Sequence, residues 1–122
     1  KYIEGLGCPV CLITSERRKN AAHILGRMGL DRYIRFMVTR DDVIRFKPDP
    51  EPILKGAAVC GCLKEECVYI GESPFDIEAG VAAGIYTVGV PSGNWPLGSL
   101  EEKKPDCVIK DISELCSIFD ES

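Results

Sequence analysis

With 122 residues the chain is long enough for one domain that buries about two-thirds of the surface its unfolded form would expose. Its hydrophobic fraction of 45% and charged fraction of 28% are ordinary for a globular protein, and no apolar run nears the roughly 20 residues that a bilayer crossing needs. Fifteen basic against nineteen acidic side chains give a net charge of −4, which repels a phosphate backbone, so nucleic acid is not an expected partner, and the lack of a long apolar run says the same of a membrane.

The first apolar run, Pro9 to Thr14, has no polar alternation and predicts a strand covered on both faces of a parallel sheet. Ser15 or its neighbour is placed to cap the helix that follows, with Ala21, Leu25 and Met28 on its buried face and Gly29 as its stop. Arg35 to Thr39 is a second short strand. A charged loop then runs to Lys47-Pro48-Asp49-Pro50, where the prolines forbid helix until Glu51. Ile53, Leu54, Ala57 and Ala58 give the next helix its apolar face, and Gly61 ends it. Cys67 to Ile70 is a third strand, followed by the acidic turn from Gly71 to Asp76 and a helix over Ile77 to Gly84. Ile85 to Val90 is a fourth strand, Pro91 to Lys104 a loop, Cys107 to Ile109 a fifth strand and Ile112 to Phe119 a last helix. Strands alternating with helices imply right-handed crossovers and an α/β, mostly parallel sheet that binds ligands beyond the C-terminal ends of its strands.

Seven cysteines is an odd number, and Cys8-Pro-Val-Cys11 has no second pair of similar spacing. They read as reduced thiols at core and strand positions, which points to a reducing cytoplasm. The clusters Arg17-Arg18-Lys19 and Arg40, Arg45, Lys47 could still attract a small anion locally.

Three polar groups stand just past strands: Thr14 with Ser15, Lys47, and Glu72 with Asp76. A hydroxyl beside a helix N-terminus can donate to a phosphate oxygen, as the free backbone N–H groups there also can. Lysine adds a compact positive charge. Two carboxylates four residues apart across a tight turn suit a hard divalent cation such as Mg2+ beside a phosphate. Each group also has a structural reading. Thr14 or Ser15 could only cap, Lys47 could be a solvated loop residue, and Glu72 and Asp76 could simply favour a helix N-terminus. His23 lies mid-helix, away from the strand ends, and Gly5-Leu-Gly7 precedes its strand rather than following it, so neither suggests a catalytic base or a nucleotide cofactor.

The run LITS, then FKPDPEPIL, then VYIGESPFDIEAGVAAG, resembles the second, third and fourth motifs of the haloacid dehalogenase superfamily, in its phosphoglycolate phosphatase and β-phosphoglucomutase branch. The resemblance covers nearly the whole chain. It implies a three-layer Rossmann-like core and a magnesium-dependent phosphatase acting on a small phosphorylated metabolite. It further implies that Thr14, assisted by Ser15, binds the phosphoryl group, that Lys47 steadies its charge, and that Glu72 and Asp76 serve the metal. Glu72 stands where the family commonly has aspartate. The family's first motif, Asp-x-Asp after an apolar strand, does not occur in this sequence; in the family its first aspartate attacks phosphorus and its second is the general acid and base. Residues 1–122 are therefore expected to be the C-terminal portion of a single core domain, with the central strand, the nucleophile and the cap domain upstream. A phosphomutase of the same family, or a non-catalytic module that binds a phosphorylated ligand or a protein, is the alternative.

Overall fold

The computed structural model describes residues 10–29, 34–91 and 94–110. Within them strands and helices alternate: β1 (Cys11–Ile13), α1 (Arg18–Met28), β2 (Phe36–Val38), α2 (Glu51–Cys60), β3 (Val68–Gly71), α3 (Pro74–Ala83), β4 (Tyr86–Gly89), α4 (Leu97–Glu101) and β5 (Cys107–Val108). The helix expected over Ile112 to Phe119 lies outside the described residues. All strand pairing is parallel, which confirms the α/β class, but it falls into two sheets, β1-β2 and β3-β4-β5. Among the described residues no strand joins β1 to β3, where the sequence leads one to expect a central strand from elsewhere.

The two sheets share one apolar core. Ile53 of α2 meets Ala79 and Ala83 of α3 and Ile85, with Ile13, Ala57, Cys67 and Tyr69 packed around them. Removing a side chain the size of isoleucine from water is worth about 1.5–3 kcal/mol, so this cluster is a main tie between the halves. Glycines allow the close approach. A methyl group added at Gly56 would meet Ile13 Cδ1 at 2.8 Å, so α2 rests almost directly on β1. A second cluster, Val88, Val90 and Ile109 with Cys107, fills the far side of β4 and β5.

Several expectations are corrected here. The buried residues of α2 are Pro52, Ile53 and Gly56, while Leu54 and Ala58 face outward, because the close contact with Ile13 turns the helix about its axis by one residue. Met28 is 63% exposed, so the apolar face of α1 is only Ala21 and Leu25. Neither Thr14 nor Ser15 caps α1: the residue at the cap is Arg17, and the Arg18 amide donates instead to Asp41 Oδ2 at 2.9 Å. Helix α3 starts at Pro74, three residues before the expected Ile77, because Ser73 and Asp76 form a capping box. The segment read as a loop after β4 contains α4, whose Leu100 is fully buried. Gly29 and Gly61 do end their helices, each at a left-handed φ near 70° that few other residues adopt.

Candidate phosphate site at the strand ends

The third strand ends in Gly71, whose lack of a Cβ is required because Asp76 packs directly against it. The next residues turn into α3, with Ser73 as its cap. Ser73 Oγ accepts from the Asp76 amide at 3.2 Å, and Asp76 Oδ2 accepts in return from the amides of Ser73 at 3.2 Å and Glu72 at 3.1 Å. This fixes the Asp76 carboxylate at the C-terminal edge of the sheet. Its other oxygen, Oδ1, receives the Tyr69 hydroxyl at 3.2 Å and the Lys47 ammonium at 2.7 Å. The Lys47 and Asp76 side chains are only 17% and 12% exposed, so the pair is shielded from screening by solvent.

The electrostatics follow from that arrangement. Burial raises the Asp76 carboxyl, but the hydrogen bond and charge of Lys47 and the two amides outweigh it and hold it below the usual carboxylate range. The Tyr69 phenol moves the other way: burial first, then the charge of Asp76, push it far above its ordinary value, so it stays a donor.

Lys47 reaches the site from the loop between β2 and α2, in which the Lys47–Pro48 peptide is cis. Glu51 Oε2 accepts from the amides of Ile44 at 2.8 Å and Arg45 at 2.9 Å, and Asp49 Oδ1 accepts from the Glu51 amide at 2.9 Å. The amides of Arg45 and Ile44 hold the Glu51 carboxyl below its ordinary value.

Thr14 and Ser15 lie past the end of β1, at the C-terminal edge of the other sheet. The Thr14 amide continues the ladder to the Val38 carbonyl at 3.0 Å, and its hydroxyl accepts from the Glu16 amide at 3.1 Å. Ser15 is exposed. Thus Lys47, Asp76 and the Glu72 backbone are brought into contact, whereas among the described residues no hydrogen bond joins Thr14 or Ser15 to them.

The expected anion-attracting clusters divide. Arg17 pairs with Asp41, Arg18 pairs with Asp42, and Arg40 stacks over the Phe46 ring at 5.4 Å, whereas Lys47 is turned toward Asp76. Sequence reasoning missed Tyr69, Asp41, Asp42 and Glu51. Their one signal was position: a tyrosine inside an apolar strand, and acids directly after a strand or at a helix start.

The donor set bears on magnesium. A carboxylate offers about four lone-pair positions, and Asp76 has four donors aimed at it, so its acceptor capacity is used within the fold. The Glu72 side chain, by contrast, is exposed at the same turn. Among the described residues no group of three or more histidine, cysteine, aspartate or glutamate side chains is arranged to hold a metal. One outward carboxylate beside a candidate phosphate site still fits a cation that keeps several waters and uses one or two carboxylates with substrate oxygens.

Comparison with known proteins shows the family. The sequence model described as haloacid dehalogenase-like hydrolase matches residues 1–90. The chain belongs to the haloacid dehalogenase-like hydrolases. A Bacillus cereus pyrophosphatase, PpaX, is 34% identical over 116 residues, which are 93% of this chain and 52% of that protein. A phosphoglycolate phosphatase of Photorhabdus laumondii is 33% identical over 109 residues, 89% of this chain and 47% of that protein. Among solved structures of this family, a Thermotoga maritima protein provisionally named β-phosphoglucomutase superposes with a TM-score of 0.88 at 26% identity, covering 98% of this chain and 56% of its own. These relatives place this haloacid dehalogenase-like chain on the phosphoglycolate phosphatase-like branch. The chain spans about half the length of the curated relatives it matches.

Proposed function

We propose that this chain supplies the phosphate-binding and charge-neutralising part of a phosphatase that hydrolyses a small phosphate monoester through an aspartyl-phosphate. The observation that carries the reading is the shielded Lys47–Asp76 pair at the C-terminal ends of two parallel sheets. An ammonium held there by a satisfied carboxylate is pre-oriented, so it can stabilise charge on a transferred phosphoryl group without reorganising.

In this reading an aspartate oxygen from a segment outside these residues attacks phosphorus. The bond from phosphorus to the ester oxygen breaks and the alcohol leaves with a proton given by the second aspartate of that segment; the same aspartate then takes a proton from the water that cleaves the acyl phosphate and releases inorganic phosphate. The Thr14 hydroxyl, with Ser15 beside it, donates to a phosphoryl oxygen, and Lys47 offsets the charge on the others. Glu72 is the residue to hold Mg2+; Asp76, also a candidate ligand, would have to give up one of its present donors to join it. Magnesium bound there supplies further positive charge to the phosphate. The central strand of that segment fits between β1 and β3, each of which has one unpaired edge among the described residues. Substrate selection belongs to a cap domain elsewhere in the protein, and the seven cysteines favour a reducing cytoplasm.

A second reading has support. The likeness to the Thermotoga protein favours a phosphomutase, which uses the same residues but returns the phosphoryl group to a sugar hydroxyl.

The test is turnover of p-nitrophenyl phosphate with magnesium by the full-length protein. Thr14→Ala is expected to lower kcat/KM by about 100-fold, the effect of removing one donor to a developing oxyanion. Equal rates would remove Thr14 from the site.

A further inference from the structure

The paired strands β1 and β2 run in register from Cys11 opposite Phe36 to Ile13 opposite Val38, and the chain then splits into the segment carrying Thr14 and the loop carrying Lys47. At the split stands a network that none of the phosphate-site motifs includes. Asp42 Oδ2 accepts three hydrogen bonds, from the Thr39 amide at 2.7 Å, the Thr39 hydroxyl at 2.8 Å and Arg18 Nη2 at 2.6 Å. The same Arg18 nitrogen donates to the Met37 carbonyl at 3.1 Å, and the Arg18 amide donates to Asp41 Oδ2. The Arg40 amide donates to the Glu16 carbonyl at 3.0 Å, so the two diverging segments are also joined through backbone. From the other side Lys55 Nζ of α2 donates to the Asp42 carbonyl at 2.6 Å.

Thr39 is fully buried, and its side chain and amide both end on Asp42, so the first turn of the Lys47 loop has a fixed anchor. Arg18 sits on α1, whose N-terminus follows directly from Thr14 and Ser15. One carboxylate therefore joins both phosphate-contacting segments while touching neither Thr14 nor Lys47.

We infer that Asp42 is a positioning residue: held by Thr39 and Arg18, it sets where the Lys47 loop stands relative to the Thr14 segment. The inference rests on the phosphatase reading above. Misplacement of a catalytic group by about 1 Å can cost on the order of 100-fold in rate, so an anchor outside the site can act through geometry alone.

Steady-state kinetics of the full-length protein with p-nitrophenyl phosphate test this through a double-mutant cycle. Asp42→Ala is expected to lower kcat about tenfold or more, and Asp42→Asn, which keeps an acceptor for the Thr39 amide but loses the charge facing Arg18, by a smaller factor. In a Lys47→Ala background Asp42→Ala is expected to change the rate by less than about twofold, because its effect passes through Lys47. Circular dichroism melts identify any variant that fails to fold, and Asp42→Asn then carries the cycle. Losses that multiply in the double variant would show an independent structural role and overturn the inference, as would an unchanged rate in Asp42→Ala. A wild-type protein without turnover overturns the phosphatase reading and this inference with it, an outcome distinct from an active wild type insensitive to Asp42.

Discussion

The two sheets differ in how completely they are covered. In the three-stranded sheet, Thr87 and Val88 of β4 are fully buried, as are Ile77 of α3 and Leu100 of α4. In the two-stranded sheet every residue of β1 is only half-buried, and α1 leaves Ile24 47% exposed and Met28 63% exposed. The first is well covered at β4 although Val68 and Ile70 of β3 stay exposed, whereas in the second only Val38 of β2 is almost fully buried. The second gains its order from α2, which packs on β1, on β2 and on α3, and from the Lys47–Asp76 pair, which crosses from one half to the other. The candidate site thus draws its carboxylate from the well-packed half and its ammonium from the half that depends on support.

Cutting that tie is the largest perturbation. Lys47→Ala leaves a buried carboxylate without its cation, and the expected cost is about 3 kcal/mol in urea unfolding, with loss of amide protection concentrated in the loop before α2. The pH dependence has a definite sign. Because Asp76 is held below its ordinary value of 3.8, its contribution is present above that value and lost as pH falls through the lower, folded value. Stability should therefore fall below about pH 4, less steeply in Asp76→Asn.

Gly80→Ala tests the three-stranded half by itself. The new methyl group would strike Thr87 Oγ1 and the Tyr69 ring, and overpacking of this kind costs about 2 kcal/mol, read from the shift in urea midpoint.

Asp41→Ala tests the dependent half. It removes the acceptor of the Arg18 amide at the start of α1, and the expected loss is about 1 kcal/mol, whereas Ser15→Ala should change stability by less than about 0.5 kcal/mol. A reversed order would restore the local cap that the sequence suggests. The smallest effect belongs to Leu54→Ala. This side chain is 37% exposed, and truncating it should cost far less than the 2–5 kcal/mol expected of about any buried aliphatic residue such as Ile53.

Those contrasts mark where the sequence was legible. The order of strands and helices could be read because apolar runs and glycine stops are local signals. The loop that carries Lys47 toward Asp76 is marked in the sequence by Pro48 and Pro50, which delay the next helix until Glu51. The partners of Asp76 were not, since its four donors come from a strand, a turn and a distant loop that meet only in the folded chain. The cap of α1 was missed for the same reason: the acid belongs to the next loop rather than to the preceding residues. Helix α4 has five residues, too few to show a period between Pro91 and Lys104. The face of α2 was misjudged by one residue because Gly56, with no side chain to count as apolar, is where that helix touches β1.

Whether the Asp76-held ammonium of Lys47 receives phosphate is read by calorimetric titration of the full-length protein with inorganic phosphate. Lys47→Ala is expected to bind at least about tenfold more weakly than the wild type, the worth of one charge-assisted hydrogen bond. Equal affinities in the two folded proteins would contradict it.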